Sequence, residues 1–200
     1  MGEVLILHGW QNHRPEGHWQ RWLAEELDAR GHDVRYPQLP DADTPVRAGW
    51  LAALEAELVG TTPSQLTVVA HSLGCALWLA YAVARRESGL DDPAAARVIL
   101  VSPPSDGFLE RTPEISGFLT ADTGEDDAVA AALAAASIAA PMVVQGDDDP
   151  VNPAGTVAFA EVFGLERVTV PGGGHLTIGD GYGPFPLVLD LVLDPGSPTG

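Results

Sequence analysis

Residues 66–76 read LTVVAHSLGCA, where an apolar, β-branched run passes directly into a helical pattern. This layout matches the G-x-S-x-G motif, in which a serine occupies a sharp turn between a strand and a helix. Such a turn needs small residues beside Ser72, because larger side chains would collide with the backbone. Gly74 meets that need, whereas Ala70 stands where a first glycine is usual. The motif alone also allows a serine that merely caps a helix.

The rest of the chain alternates short apolar runs with longer helical patterns. Apolar runs that do not alternate with polar residues are typical of strands covered on both faces. Six strands are predicted, at Val4–His8, Asp33–Tyr36, Leu66–Ala70, Arg97–Ser102, Pro141–Gln145 and Arg167–Val170. Six helices are predicted between and after them, at Trp19–Ala29, Val46–Val59, Leu73–Arg86, Asp126–Ala136, Ala154–Phe163 and Phe185–Leu193. This alternation predicts an α/β protein with a mostly parallel sheet flanked by helices on both faces.

The organisation of the chain indicates one domain over residues 1–194, followed by a frayed tail at 195–200. Residues 106–127 differ in composition, with seven acidic side chains, one arginine and several large apolar residues. This segment is either an acidic insert that covers a pocket or a solvated connection.

Charge and cysteine content restrict the classes of partner. The chain has 28 acidic and 10 basic residues, giving a net charge of −18, so nucleic acids and anionic membranes are disfavoured. Its one cysteine cannot form an intramolecular disulfide. Neither a signal peptide nor a membrane-spanning run is recognisable. We therefore expect a cytoplasmic protein without nucleic-acid or membrane partners, and a monomer is favoured.

Acidic and histidine residues follow the last two predicted strands. Asp147, Asp148 and Asp149 precede Pro150, and His175 follows three glycines. The carboxyl ends of parallel strands meet at one sheet edge. A serine there needs a base to take its proton and a carboxylate to orient that base.

The order serine, aspartate, histidine is that of α/β-hydrolases. We choose Asp149 as the orienting carboxylate, since Pro150 restricts its backbone, with Asp148 as the reserve. An acidic turn that caps a helix is the alternative. A metal site is disfavoured because no calcium-loop spacing is present.

Two backbone N–H groups are predicted to bind an oxyanion. Leu73 follows the serine directly, and Trp10 lies in the His8-Gly9-Trp10 loop after the first strand. We expect the Trp10 indole to wall a substrate pocket, although a plain packing role is the alternative. The other predicted pocket residues are His8, Gly9, Trp19, Phe108 and Phe118.

The remaining histidines and the cysteine are assigned other roles. His71 is expected to be structural because it points away from its neighbour Ser72. His13, His18 and His32 lie in or beside predicted loops and are expected to be solvated. Cys75 is expected to be a buried thiol.

At this point the sequence resembles the small serine hydrolases typified by retinoblastoma-binding protein nine and the bacterial YdeN-like proteins. The resemblance rests on His8-Gly9, on the segments His18–Trp22, His71–Gly74 and Val101–Pro104, on Gly146–Val151 and on Gly174-His175. It implies a minimal α/β-hydrolase fold with little or no lid, and a catalytic triad of Ser72, Asp149 and His175. Ala70 and the acidic segment depart from the pattern.

The resulting hypothesis is a serine hydrolase that acts on small esters through an acyl-enzyme intermediate, without a cofactor or metal. Its partner would be a small-molecule acyl substrate. A catalytically silent binding protein and an amidase or aminopeptidase remain the alternatives.

Overall fold

The computed structural model describes residues 2–119, 125–152 and 159–194. Six strands form one sheet: β1 (Glu3–Leu7), β2 (Asp33–Arg35), β3 (Leu66–His71), β4 (Arg97–Val101), β5 (Met142–Gly146) and β6 (Glu166–Val170). Their order is β2-β1-β3-β4-β5-β6, and every neighbouring pair is parallel. The predicted α/β class is confirmed.

The described residues contain seven α-helices: α1 (Trp19–Ala29), α2 (Arg47–Leu58), α3 (Leu73–Glu87), α4 (Asp106–Glu110), α5 (Asp126–Ala135), α6 (Phe159–Val162) and α7 (Pro186–Leu193). Five of the six predicted helices agree with these bounds to within a residue or two. Helix α6 lies within the remaining predicted helix, Ala154–Phe163. Residues 154–158 of that prediction lie outside the described residues, and so does the predicted tail at 195–200.

Two apolar layers cover the two faces of the sheet. One layer joins side chains of α2, α3 and α5 to alternate residues of the central strands, including Leu7 and Ala70. The other joins α1 and α7 to the opposite set, including Ile6 and Val69. Successive side chains of a strand point to opposite faces of the sheet, and helices cover both faces here. Both sets of side chains are therefore buried, which explains why these strands are apolar throughout.

The described part of the acidic segment packs onto the first of these layers. Helix α4 and a short 3-10 turn at Ser116–Phe118 direct Leu109, Ile115 and Phe118 into the core, where all three are buried. The Phe118 ring packs edge-to-face on Trp50 at a centroid distance of 5.3 Å. Residues 106–119 therefore contribute to the core as well as carrying acidic groups.

The start of α3 packs directly against the end of β1. A Cβ atom built on Gly74 would lie 2.8 Å from the carbonyl oxygen of Leu7 and 2.9 Å from that of His8. Both contacts are with backbone, which cannot rotate away. This close approach sets the position of the serine turn relative to the loop after β1.

We predict that Gly74→Ala lowers the free energy of unfolding by about 1–3 kcal/mol, because the added methyl group overpacks this contact. Gly49→Ala in α2 is the matched control, since a Cβ there meets only Pro40 at 4.0 Å. That change should raise the free energy of unfolding by about 0.5–1 kcal/mol. Urea denaturation measures both, and equal stabilities of the two variants would contradict the packing account.

Candidate active site

Ser72 lies on a strained turn between β3 and α3. Its backbone angles are φ 52 and ψ −122, which a residue with a Cβ atom rarely adopts. The turn is held because the Ser72 amide donates to Val101 O at 2.9 Å and its carbonyl accepts from the Cys75 amide at 2.8 Å. The strain lifts the hydroxyl from the sheet edge at the N-terminus of α3.

His175 joins the hydroxyl of Ser72 to a buried carboxylate. Its Nε2 is 2.9 Å from Ser72 Oγ, and its Nδ1 is 3.0 Å from Asp149 Oδ1. The His175 side chain is 15% exposed and that of Asp149 is 0% exposed. The carboxylate can only accept, so a neutral His175 carries its proton on Nδ1. Nε2 is then free to accept the Ser72 proton.

Asp149 is fixed by two further donors. Its Oδ1 accepts from the Val151 amide at 3.0 Å, and its Oδ2 accepts from Asn152 Nδ2 at 3.3 Å. Asn152 Nδ2 also donates to Pro103 O at 2.7 Å, which ties the turn to the loop after β4. Sequence reasoning missed Asn152, because an asparagine in a turn carries no signal of its own.

The other two aspartates hold the loop that carries His175. Asp147 Oδ1 accepts from the Gly172 amide at 2.8 Å, and Asp148 Oδ1 accepts from the Gly174 amide at 2.7 Å. The three consecutive carboxylates therefore point to three different partners. The structure brings Asp149 to the histidine and places the reserve choice, Asp148, on the loop backbone.

The turn after β5 and the loop that carries His175 touch closely. A Cβ on Gly146 would collide with the carbonyl oxygen of Gly174, and Gly174 itself has φ 55. Asp180 braces the far side, accepting from the Thr177 amide at 2.9 Å and from its hydroxyl at 2.7 Å. Partial burial acts to raise the pKa of Asp180, but these hydrogen bonds, together with the backbone amide and the side chain of His175, outweigh it and hold the pKa below its usual value.

The loop after β1 lies against the serine. A Cβ on Gly9 would be 2.8 Å from Ser72 Cβ, so only glycine allows this approach. His8 beneath it is buried; its Nδ1 donates to Gly9 O at 2.8 Å and its Nε2 accepts from the Leu39 amide at 2.8 Å. Burial lowers the pKa of His8 to about 4. His8 therefore shapes the loop as a neutral side chain.

The predicted oxyanion donors occupy the expected places in the chain. Leu73 is the first residue of α3, and Trp10 lines the same pocket as Ser72. The Trp10 indole donates to Asp43 O at 2.9 Å, which holds its ring in place. Their role in binding an oxyanion stays a prediction.

A pocket of about 220 Å³ opens over Ser72 and His175. Its wall is formed by residues 9–12 with Pro15, by His18 and His71, and by residues 177–179. Among the residues that the structure describes, the pocket lining includes no Asp, Glu, Lys or Arg, although the whole chain carries a net charge of −18. Such a small pocket without formal charges fits a small, uncharged ligand.

Several predicted pocket residues lie elsewhere. Trp19 is fully buried, where its Nε1 donates to Leu176 O at 2.9 Å and its ring packs on His71 and Phe185. Phe118 is in the core against Trp50, and Phe108 packs on the same layer. His8 lies beneath the loop. Of the predicted pocket residues, Gly9 and Trp10 do line the pocket. Residues 177–179 also line it, although no sequence motif had indicated them.

The prediction that His18 is solvated is wrong. His18 is 5% exposed and lines the pocket, because its Nδ1 accepts from the Gln20 amide at 3.2 Å and caps α1. Burial lowers its pKa to about 4. His71 is also buried, and its Nε2 donates to the carbonyl oxygen of His175 at 3.0 Å. Burial, with the nearby His175, holds the pKa of His71 well below its usual value.

Among the described residues, no group of three or more His, Cys, Asp or Glu side chains is arranged to hold a metal ion. Nor does any described helix combine the length and apolarity needed to cross a bilayer.

A parallel sheet with a serine on a strained strand–helix turn, and with aspartate and histidine after later strands, defines an α/β-hydrolase. The serine hydrolase family model matches residues 4–194. The chain belongs to this family, and its predicted YdeN-like membership is confirmed. No curated protein matches it significantly.

Solved structures give the same class. The ydeN gene product of B. subtilis is 25% identical, with a TM-score of 0.78 over 96% of this chain and 97% of that one. A putative YdeN-like hydrolase from Pectobacterium atrosepticum is 18% identical, with a TM-score of 0.69 over 96% and 89%. Est1E from Butyrivibrio proteoclasticus, solved with ferulic acid bound, is 17% identical, with a TM-score of 0.64 over 96% and 86%. The last two likenesses show the fold.

We predict that the free energy of unfolding falls as the pH is lowered from 6.5 to about 4. In this window His8 and His18 are protonated in the unfolded chain but neutral in the folded one, so the unfolded state binds more protons. Each contributes up to about 1.4 kcal/mol per pH unit. Urea denaturation of the wild type and of His18→Asn across this pH window isolates the contribution of His18. Equal pH dependence in both proteins would contradict the assignment.

We predict that Cys75 does not react with a thiol reagent in the native protein. The side chain is fully buried, and burial raises the pKa of its thiol, so the reactive thiolate is scarce. Titration with a chromogenic disulfide should detect one reactive thiol per chain in guanidinium, where the protein is unfolded. Without guanidinium it should detect a negligible fraction of one thiol. Rapid stoichiometric reaction of the folded protein would show that Cys75 is accessible.

Proposed function

We propose that this serine hydrolase cleaves small, uncharged esters through an acyl-enzyme intermediate formed on Ser72. The observation that supports this most is the unbroken chain of hydrogen bonds from Asp149 through His175 to the Ser72 hydroxyl, at 3.0 and 2.9 Å. A binding protein would have no need of a strained serine turn joined to a buried carboxylate.

In acylation, His175 Nε2 takes the proton of Ser72 as Oγ attacks the ester carbonyl. The carbonyl oxygen becomes an oxyanion, which accepts hydrogen bonds from the amides of Leu73 and Trp10. Asp149 stabilises the imidazolium while remaining a carboxylate. His175 then gives its proton to the leaving alkoxide, the C–O bond breaks, and an ester of Ser72 remains.

In deacylation, His175 takes a proton from water, and the hydroxide attacks the Ser72 ester. Collapse of the second oxyanion breaks the bond to Ser72 Oγ, which recovers its proton from His175. The products are an alcohol and a carboxylic acid. The enzyme returns to its starting state without a cofactor.

The pocket supports esters over the substrates of an aminopeptidase. An aminopeptidase needs a carboxylate for the substrate's α-ammonium group, and the described residues that line this pocket include none. The volume of about 220 Å³ favours a short acyl or alcohol group. Esterase and thioesterase names among structural neighbours point to acyl chemistry on this fold.

We expect a fluorophosphonate probe to label the wild-type protein and Ser72→Ala to lose the label. The probe reacts with a serine only when a neighbouring base takes its proton, so labelling reports the whole relay. Gel fluorescence with heat-denatured protein as background measures this. Equal labelling of the wild type and Ser72→Ala would show that Ser72 is not an activated nucleophile. That result would favour the alternative of a catalytically silent binding protein.

We expect Asp149→Asn to lower kcat for a p-nitrophenyl ester by about 10³-fold or more, since an amide donor in this place favours the wrong tautomer of His175. Asp148→Asn is the matched control. Its remaining amide oxygen can still accept from the Gly174 amide, so the loss should stay below about tenfold. Initial rates measure both, and similar losses would overturn the choice of Asp149.

A further inference from the structure

The pocket wall at the start of α1 holds a histidine whose tautomer the structure determines. His18 Nδ1 is 3.2 Å from the Gln20 amide, which can only donate, so Nδ1 carries no proton. The buried ring is neutral at physiological pH, because burial lowers the pKa of His18 to about 4. Its single proton is therefore on Nε2, and Nε2–H is a donor.

The neighbouring side chain also presents a donor. Asn12 Oδ1 accepts from the Arg14 amide at 2.7 Å, which assigns the two ends of the Asn12 amide. Its Nδ2 donates to Gln20 Oε1 at 3.3 Å. The orientation of Gln20 is assigned in turn, because its Nε2 donates to Leu7 O at 2.9 Å. One N–H of Asn12 Nδ2 is therefore used by Gln20. Apart from the Tyr36 hydroxyl, which also interacts with the Asn12 side chain, the second N–H has no acceptor among the described residues.

These two donors face each other. Asn12 Nδ2 lies 3.4 Å from His18 Nε2, and with both nitrogens carrying hydrogens this contact is not a hydrogen bond. Both side chains are buried, at 9% and 5% exposure, and both line the pocket that contains Ser72. Two buried donors without an acceptor between them are costly unless a ligand supplies one.

An unsatisfied acceptor lies in the same wall. His71 Nε2 donates to His175 O, so Nδ1 of the neutral ring holds a lone pair. Among the described residues, His71 Nδ1 is buried and has no hydrogen-bond partner. The ring centres of His18 and His71 are 5.6 Å apart. The wall thus offers two donors in the pocket that contains Ser72, while the acceptor atom of His71 is buried.

We propose that His18 and Asn12 bind an oxygen atom of the substrate, so that the preferred esters are short, uncharged ones bearing an additional ether or hydroxyl oxygen. The proposal rests on the esterase function proposed above. One oxygen can accept from His18 Nε2–H and Asn12 Nδ2–H together.

Isosteric esters test the subsite. In the acyl part, p-nitrophenyl methoxyacetate differs from p-nitrophenyl butyrate by an oxygen in place of a methylene group. In the alcohol part, 2-methoxyethyl acetate differs from butyl acetate in the same way. We measure kcat/KM for each ester and divide it by its hydroxide-catalysed rate constant. The wild type should prefer the oxygen-containing ester of at least one pair by about tenfold.

Two variants remove the donors one at a time. His18→Asn keeps a side-chain oxygen that can cap α1 but loses the distal N–H. Asn12→Asp keeps the acceptor for the Arg14 amide and loses its N–H groups. Each should reduce the normalised preference by about fivefold or more. His32→Asn, a histidine change outside the pocket, should leave it unchanged.

The outcomes separate the subsite from the function. If the wild type prefers the oxygen-containing ester in neither pair, or if both variants keep that preference, the proposed subsite is wrong. Hydrolysis of p-nitrophenyl butyrate would in that case still support the esterase function. Failure to hydrolyse any of the four esters, together with no fluorophosphonate labelling, would overturn both. Long-range ¹H–¹⁵N spectra give a readout besides activity. They should show the Nε2–H tautomer for His18, and the Nδ1–H tautomer would contradict the proposal even if a variant fails to fold.

Discussion

The hydrogen bond between Asp149 and His175 is the interaction on which the site depends. The carboxylate is fully buried, and a buried charge is tolerated only when it is well satisfied. His175, the Val151 amide and Asn152 supply three donors. Loss of the first would leave a buried charge short of a partner and would free the imidazole to rotate away from Ser72.

The relay from Asp149 through His175 to Ser72 requires the segments after β3, β5 and β6 to meet at the carboxyl edge of the sheet, and glycines permit the close contacts there. Gly9 lets the loop after β1 approach the Cβ atom of Ser72, and Gly74 lets α3 start against the end of β1. Gly146 lets the turn after β5 touch the backbone of Gly174. Each contact joins one strand end to the next, so a parallel sheet of six short strands suffices to assemble the relay.

The sequence allowed the strands, most helices and the three residues of the relay to be predicted, because each depends on local signals. Continuous apolar runs mark the buried strands, and the order of Ser72, Asp149 and His175 at strand ends follows from the topology. The backbone restriction before Pro150 selected the aspartate that the structure brings to His175.

The pocket wall escaped prediction because side-chain destinations depend on tertiary packing. Trp19 and Phe118 were predicted to line the substrate pocket because they are large aromatic residues, but both are buried in the core. His18 was expected in solvent because it borders a loop, yet its place at the start of α1 turns it inward. A histidine that caps a helix carries no periodic signal, and the segment 177–179 contains no motif.

The proposed mechanism places the acyl group on Ser72 Oγ, and acid-quenched peptide mapping during turnover of a p-nitrophenyl ester tests this directly. The account predicts an acyl adduct on the peptide that contains Ser72, located by fragmentation to Ser72 itself and not to Cys75, three residues further on. Continued hydrolysis with the adduct on another residue, or with no adduct in wild type and undiminished turnover in Ser72→Ala, would contradict it.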